Sequence, residues 1–396
     1  MLEKPFHVLH IASFHGNIGD NANHKGFRKM FEYYYPGEVQ FEEIEMRDFY
    51  RSWNLRSFES DEFINTCNEY DLVVVGGGNF FELKWDYSVT GTTINISNSA
   101  LEKIETPILF NSLGCDIAKG ASQEAIDKFK RFLDYSLSSS RIYISLRNDG
   151  SYKTIDKLYG KEYAEKINIV PDGAFFAEFN TEINTENLWG QKLIGINVVS
   201  DMSEVRFNTS LENTISYEEY MSGLGKVLND FLSNNKEYNI LLFPHIYSDL
   251  KAIYDLMTYI DDKHLRFRIK TAPLLTGEGA EDYIFSLYQK CTIILGMRFH
   301  SNVCAISQNI PTIALSSYKK IDDLYEELGI TDRVVKVNEK NFQSKLIDKL
   351  AQTLNDPLDV KKVYEKVNKK NCFVGSAFYK NLVNEISRNR IEKSSE

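Results

Sequence analysis

Val73-Val74-Val75-Gly76-Gly77-Gly78-Asn79-Phe80 is a run of β-branched residues that stops at three glycines. Branching at Cβ favours extended backbone, so the run reads as a short strand with apolar residues on both faces. Strands of that kind belong to parallel sheets covered by helices. The glycines mark a place where the chain must turn tightly or approach another group closely.

Outward from this stretch the same pattern repeats. Short apolar runs predict strands at His7 to Ala12, Asp71 to Val75, Pro107 to Asn111, Arg141 to Ser145 and Asn168 to Val170, with helices beginning near Asn21, Ser122 and Ser151. After Pro171-Asp172-Gly173 the chain turns polar and irregular through Asn180 to Gln191, and a new apolar run opens at Lys192. Further strands are predicted at Ile194 to Val198, Asn239 to Phe243, Thr292 to Leu295 and Thr312 to Ala314. Alternating strands and helices on either side of one junction predict an α/β protein with two Rossmann-like, doubly wound domains, 1–180 and 192–355. A helical, basic segment, 356–396, either crosses back onto the first domain or caps the second.

A length of 396 residues fits two domains, each able to bury its own core. Hydrophobic residues at 43% and charged residues at 26% are those of a folded globular chain, not a disordered or coiled-coil one. With 46 Lys+Arg against 56 Asp+Glu the net charge is −10, which argues against nucleic acid as a partner. Five cysteines without a C-x-x-C pair indicate neither a disulfide framework nor a zinc site, and no metal is expected. The start lacks a signal-peptide pattern and no apolar run reaches bilayer length, so the expected location is the cytoplasm, with at most peripheral membrane contact. The 25 Phe and 23 Tyr suit a large core, a sugar-stacking surface or a membrane-facing edge, and composition does not choose.

In doubly wound sheets ligands sit at the carboxyl ends of strands, and four such places carry candidate chemistry. In Ser13-Phe14-His15-Gly16-Asn17-Ile18-Gly19-Asp20-Asn21, glycines flank Asn17-Ile18 ahead of a helix whose free N–H groups favour an anion, unless Asp20 or Asn21 simply caps it. Gly76, Gly77 and Gly78 match neither a dinucleotide fingerprint nor a Walker loop; they form either a close approach to a ligand or a sharp turn. Ile144 to Ser151 contains Arg147 at a strand end, able to fork onto carboxylate or phosphate. Gly296-Met297-Arg298-Phe299-His300-Ser301 sets a permanent cation beside a titratable imidazole; read as extended chain, Arg298 and His300 project to one side. His245 stands at another strand end. His7, His10 and His264 read as structural or solvated, while His15 and His24, flanking the first loop, stay open.

Together these segments resemble the polysaccharide pyruvyl transferase family, through G-N-x-G-D at Gly16 to Asp20, G-G-G at Gly76 to Gly78, S-x-R at Ser145 to Arg147 with Ser151 following, and R-x-H-S with its downstream Ala and Pro at Arg298 to Pro311. Asn148 and Thr292 depart from the family pattern, standing where acidic residues are common. The resemblance implies a GT-B-like arrangement with the active site in an interdomain cleft, no cofactor, and phosphoenolpyruvate as donor of a pyruvyl ketal onto a sugar. The acceptor is expected to be a lipid-linked oligosaccharide precursor of a capsule or exopolysaccharide.

On that reading Arg147 and Arg298 clamp the donor and His300 transfers the proton. Asn17, Gly19, Asp20, Gly76, Gly77, Gly78, Asp172, His245 and Ser301 contact substrates. Two alternatives use the same fold: a glycosyltransferase taking a nucleotide-sugar, for which the absence of D-x-D argues only against metal-dependent versions, and a non-catalytic scaffold of surface-polysaccharide assembly.

Overall fold

The computed structural model describes residues 4–180, 182, 192–210 and 212–395. The expected domain junction, at 180–191, therefore lies almost wholly outside the described residues. Contacts divide the chain into two compact units: Met1–Phe14, Asn23–Phe176 and Asn371–Glu396 form the first, His15–Ala22 and Ala177–Lys370 the second.

The first unit contains β1 (Phe6–Ala12), β2 (Val39–Glu45), β3 (Leu72–Gly76), β4 (Phe81–Glu82), β5 (Ile108–Leu113), β6 (Cys115–Asp116), β7 (Ile142–Arg147) and β8 (Asn168–Val170). Its main sheet runs β2-β1-β3-β5-β7-β8 and every neighbouring pair is parallel. β3 and β5 are buried along their whole length, which is why they read as unbroken apolar runs. On one face Phe81, Phe110, Phe129 and Phe132 pack ring against ring, with Phe129 and Phe132 stacked at 5.6 Å. Each such fully buried ring contributes about 1.5–3 kcal/mol. Most phenylalanines thus serve the core.

The second unit contains β9 (Lys192–Asn197), β10 (Tyr238–Leu242), β11 (Ile269–Thr271), β12 (Cys291–Gly296), β13 (Thr312–Ser316) and β14 (Val334–Lys336). The order is β11-β10-β9-β12-β13-β14, again all parallel. This is the Rossmann order, in which the winding reverses between the first strand and the fourth, here β9 and β12. The molecule is thus α/β with two Rossmann-like sheets, the fold class that the sequence predicts.

Helix starts follow local chemistry. Ser122 accepts a hydrogen bond from Ala125 N at the head of Gln123–Ser138, and Ser216 with Glu219 forms a capping box on Tyr217–Asn234. The C-terminal helix is one piece, Pro357–Ser395. Up to Lys370 it belongs to the second unit, where Tyr364 donates to Thr312 O and Asn368 to Ile306 O. From Asn371 it belongs to the first, where Gly375 lies so close to Phe176 that a Cβ would come within 2.4 Å of the ring. No helix among the described residues is long and apolar enough to cross a membrane.

Candidate functional site

A polar cluster of the second unit stands where β9 and β12 end. Asn197 closes β9 and is fully buried; its Oδ1 accepts from Arg298 N at 2.9 Å and its Nδ2 donates to Phe243 O at 2.9 Å. One amide thus ties together the ends of β9, β10 and β12. Beyond β12 the helix Phe299–Ser307 begins at once, with Arg298 as its N-terminal boundary residue. His300 is therefore in a first helical turn rather than on extended chain. The alternation that would put Arg298 and His300 on one side does not apply, because Gly296 ends the strand two residues earlier.

Arg298 is held by carboxylates. Its Nε donates to both oxygens of the fully buried Asp249, at 2.8 and 3.0 Å, and a terminal nitrogen donates to Asp201 Oδ1 at 3.0 Å and to Asp249. Burial opposes the cation, but the hydrogen bonds and charge of Asp249, then of Asp201, outweigh it and hold the guanidinium above the ordinary arginine range. Asp249 also accepts from His245 N at 2.9 Å. Arg206, 7% exposed, adds a second cation: it donates to Asp201 O and lies over the Tyr318 ring at 5.4 Å. Its affinity for its proton is lowered by burial and by Arg298, with Asp201 opposing.

His300 is 6% exposed and its Nδ1 lies 3.9 Å from Asp20 Oδ1. Asp20 belongs to the first turn of the helix Ile18–Tyr34, whose opening residues group with the second unit because Gly19 packs directly on the imidazole: a Cβ there would meet His300 Cβ, Cγ and Nδ1 at 2.4 Å. The helix starts at Ile18, three residues earlier than expected. Its cap is Asn17, whose Oδ1 accepts from Gly19 N at 3.0 Å while its carbonyl accepts from Asp20 N at 3.2 Å. A side chain does cap this turn, but it is Asn17 and not the expected Asp20 or Asn21.

His245 is fully buried. Its Nε2 pairs with Tyr288 hydroxyl at 2.8 Å, and its Nδ1 has no hydrogen-bond partner among the described residues. Burial, then the charges of Arg298 and His300, push its pKa well below the usual histidine value, so it is neutral at pH 7. Ser301 is fully buried and its hydroxyl donates to Arg298 O at 2.7 Å, which supports the turn.

The remaining expected residues lie in the first unit, where the structure uses them differently. Arg147, 4% exposed, donates from Nε to Asp149 at 2.8 Å and from a terminal nitrogen to Asp172 at 3.1 Å. Asp172 is fully buried, its side chain caps the turn Gly173–Phe175 by accepting from Ala174 N, and its backbone N–H donates to Asn148 Oδ1 at 3.1 Å. This triad is an internal brace: Arg147 is engaged by two carboxylates, and Asp172 has no exposed surface to offer a sugar.

The three glycines make room for protein groups. A Cβ on Gly76 would meet Asn111 at 2.9 Å, one on Gly77 would meet His24 and Asn23 at 2.5–2.7 Å, and one on Gly78 would meet the Phe80 ring at 2.6 Å. Gly77 also has a φ of +82°. The space a side chain would need at all three is thus already taken by protein, and Gly77 makes a turn that favours glycine.

Four residues of the cluster escaped sequence reasoning: Asn197, Asp201, Arg206 and Asp249. Asn197 ends the strand β9 and Asp201 follows it, so both could have been found by examining that strand's carboxyl end as closely as the others. Nothing local marks Arg206 or Asp249. Among the described residues no three His, Cys, Asp or Glu are grouped to hold a metal ion.

Comparison with known proteins adds the following. The family model for polysaccharide pyruvyl transferase matches residues 17–318. No curated protein matches the sequence. A putative UDP-N-acetylglucosamine 2-epimerase from Listeria monocytogenes superposes with a TM-score of 0.58 at 12% identity, covering 98% of each chain. UDP-GlcNAc 2-epimerase from Neisseria meningitidis, bound to UDP-GlcNAc, gives 0.53 at 12% identity, over 97% of this chain and 100% of that one. An α,α-trehalose 6-phosphate synthase from Burkholderia multivorans gives 0.51 at 9% identity, over 99% and 100%. At these identities the likeness is one of fold.

Proposed function

The chain belongs to the polysaccharide pyruvyl transferase family, and from that premise we propose that it moves the pyruvyl group of phosphoenolpyruvate onto two hydroxyls of a sugar, as a ketal, with release of phosphate. In that reaction a proton adds to the methylene carbon of the enol, which becomes a methyl group. The cation-like carbon left behind accepts two hydroxyl oxygens, and its bond to the phosphate oxygen breaks. Of the two hydroxyl protons, one balances the proton taken by carbon and the other leaves with phosphate.

The observation that carries this reading is the pairing of His300 with a fixed cation at the switch point of the second sheet. Imidazole can give a proton to carbon or phosphate and take one from a hydroxyl near neutral pH, and His300 has Asp20 on one side to orient it. Arg298 supplies a preorganised fork, rigid because Asp249 grips it from behind. Asp201, partly exposed, is the one carboxylate on Arg298 that a donor phosphate or carboxylate could replace, and Arg206 would then add its charge. Arg147 is better read as a brace than as the second half of a clamp. The acceptor would be a lipid-linked oligosaccharide met at the inner face of the membrane, in the cytoplasm, where the donor is made.

A second reading, transfer from a nucleotide-sugar, draws support from the fold shared with proteins whose names carry UDP-sugars. One experiment separates the two: the purified protein is incubated with phosphoenolpyruvate, UDP-sugars and extracted lipid-linked oligosaccharides, and phosphate and UDP are assayed separately. Acceptor-dependent phosphate release without UDP supports pyruvyl transfer; UDP release without phosphate overturns it.

A further inference from the structure

A cavity of about 490 Å³ lies in the first unit, lined by Tyr50, Arg51, Ser52, Trp85, Tyr87 and Thr93. Its two walls leave the sheet in the same direction: 50–52 follow the turn Met46–Phe49 that succeeds β2, and 85–93 follow β4, the short strand after β3. Both are carboxyl-side loops, the side on which doubly wound sheets bind ligands.

The lining combines aromatic faces with hydrogen-bonding groups. Trp85 and Tyr87 meet edge to face at 5.8 Å, Arg51 lies over the Tyr87 ring at 5.4 Å, and Tyr87 is 41% exposed. The indole Nε1–H of Trp85 is buried and has no partner among the described residues. A buried donor left unpaired costs stability unless something else satisfies it.

The segment that presents these rings has no helix or strand of its own, yet it is fixed. Ser88, Thr90 and Thr92, all buried, form a chain of hydroxyls at 3.1 and 2.9 Å that closes on Ile94 O. Val89 N donates to Asn95 Oδ1 at 2.8 Å, Ser88 N to Trp85 O at 2.9 Å, and Trp85 N to Gly91 O at 3.1 Å. Gly91, with a φ of +72°, lies against the Ala125 backbone where any Cβ would be blocked. A loop built this way holds its rings ready, so little ordering has to be done on binding.

We propose that this cleft binds one sugar residue of the acceptor, with the apolar C–H face of the pyranose against the Trp85 and Tyr87 rings and its hydroxyls on the polar groups at the edge. A pyranose has that division of surface: axial C–H groups on one face suit an aromatic ring, and equatorial hydroxyls suit Arg51 and the Ser52 and Thr93 hydroxyls. The volume admits one or two sugar units. The occupant follows from the reading of the protein as a sugar-modifying transferase, and none of the lining residues belongs to the Arg298 and His300 cluster.

The test is saturation-transfer NMR on the whole protein with three probes, methyl β-D-galactopyranoside, methyl β-D-glucopyranoside and methyl α-D-mannopyranoside. Phosphoenolpyruvate binding is measured by calorimetry on the same preparations. Transfer to the C–H protons of at least one glycoside is expected, weakened about tenfold or more in Trp85→Ala and in Tyr87→Ala, with a smaller loss in Trp85→Phe, which keeps an aromatic ring of reduced area. Tyr87 is exposed enough for its truncation to leave the fold intact, and phosphoenolpyruvate binding should be unchanged in every variant. No transfer to the wild type, or equal transfer to wild type and both alanine variants, overturns the proposal. Glycoside binding that depends on Trp85 without any binding of phosphoenolpyruvate would leave this cleft standing and refute the pyruvyl donor instead.

Discussion

Gly19 and His300 occupy one space: the position a Cβ would take on Gly19 is 2.4 Å from three atoms of the His300 side chain. Alanine is therefore excluded by the neighbour, not by the backbone, and the first turn of the helix Ile18–Tyr34 serves as the floor on which the imidazole rests. Gly19→Ala should displace the ring. Because glycine inside a helix costs about 1 kcal/mol relative to alanine, the variant is expected to keep its thermal stability within a few degrees while turnover falls about 100-fold. Full activity in Gly19→Ala would show that the position of the ring does not matter.

The brace in the first unit makes a different prediction. Asp172→Asn removes one of the two carboxylate charges that face the buried Arg147 guanidinium. Removing one partner of such a group costs about 3–5 kcal/mol, so urea unfolding should show a loss of that order while phosphoenolpyruvate binding to the folded fraction persists. Wild-type stability with lost binding would return Arg147 to the donor clamp.

These two cases show how far the sequence can be read. The inner strands were legible because burial on both faces writes them as apolar runs; β3, β10 and β12 differ from expectation by about one residue at their ends. Of the edge strands of the two main sheets, β8 agrees in every residue with its expectation, whereas β2, β11 and β14 were not predicted. In β2, Val-Gln-Phe-Glu-Glu-Ile-Glu, polar residues interrupt the apolar run and only Ile44 is buried. The R-x-H pair and the loop at Asn17 to Asp20 were found from chemistry near strand ends. What those residues touch was not legible: a glycine looks the same in sequence whether its missing Cβ makes way for a ligand, for Asn23 and His24, or for His300. Nor does the end of β7 announce that Arg147 faces Asp172, 25 residues on.

Two buried histidines set the response of stability to pH. Burial first, then Arg298 and His300, lower the pKa of His245; burial first, then His24 and Arg28, lower that of His10. Both are neutral in the folded protein, whereas in the unfolded chain they take up protons near the ordinary value of 6.5. Their stabilising contribution is complete above that value and is lost as pH falls below it, by up to about 1.4 kcal/mol per pH unit for each. Urea unfolding between pH 7.5 and 5 should show this decline, and His245→Asn should flatten it. A stability that rises toward pH 5, or an unchanged slope in the variant, would contradict the burial of a neutral His245.

The most direct test of the account is His300→Gln. Glutamine keeps the size and a hydrogen-bonding end but cannot pass a proton. With phosphoenolpyruvate and the oligosaccharide acceptor, calorimetry should give a donor affinity close to wild type while acceptor-dependent phosphate release falls about 100- to 10,000-fold. Turnover at the wild-type rate would remove His300 from proton transfer, and lost donor binding with turnover preserved at saturation would make it a phosphate ligand instead.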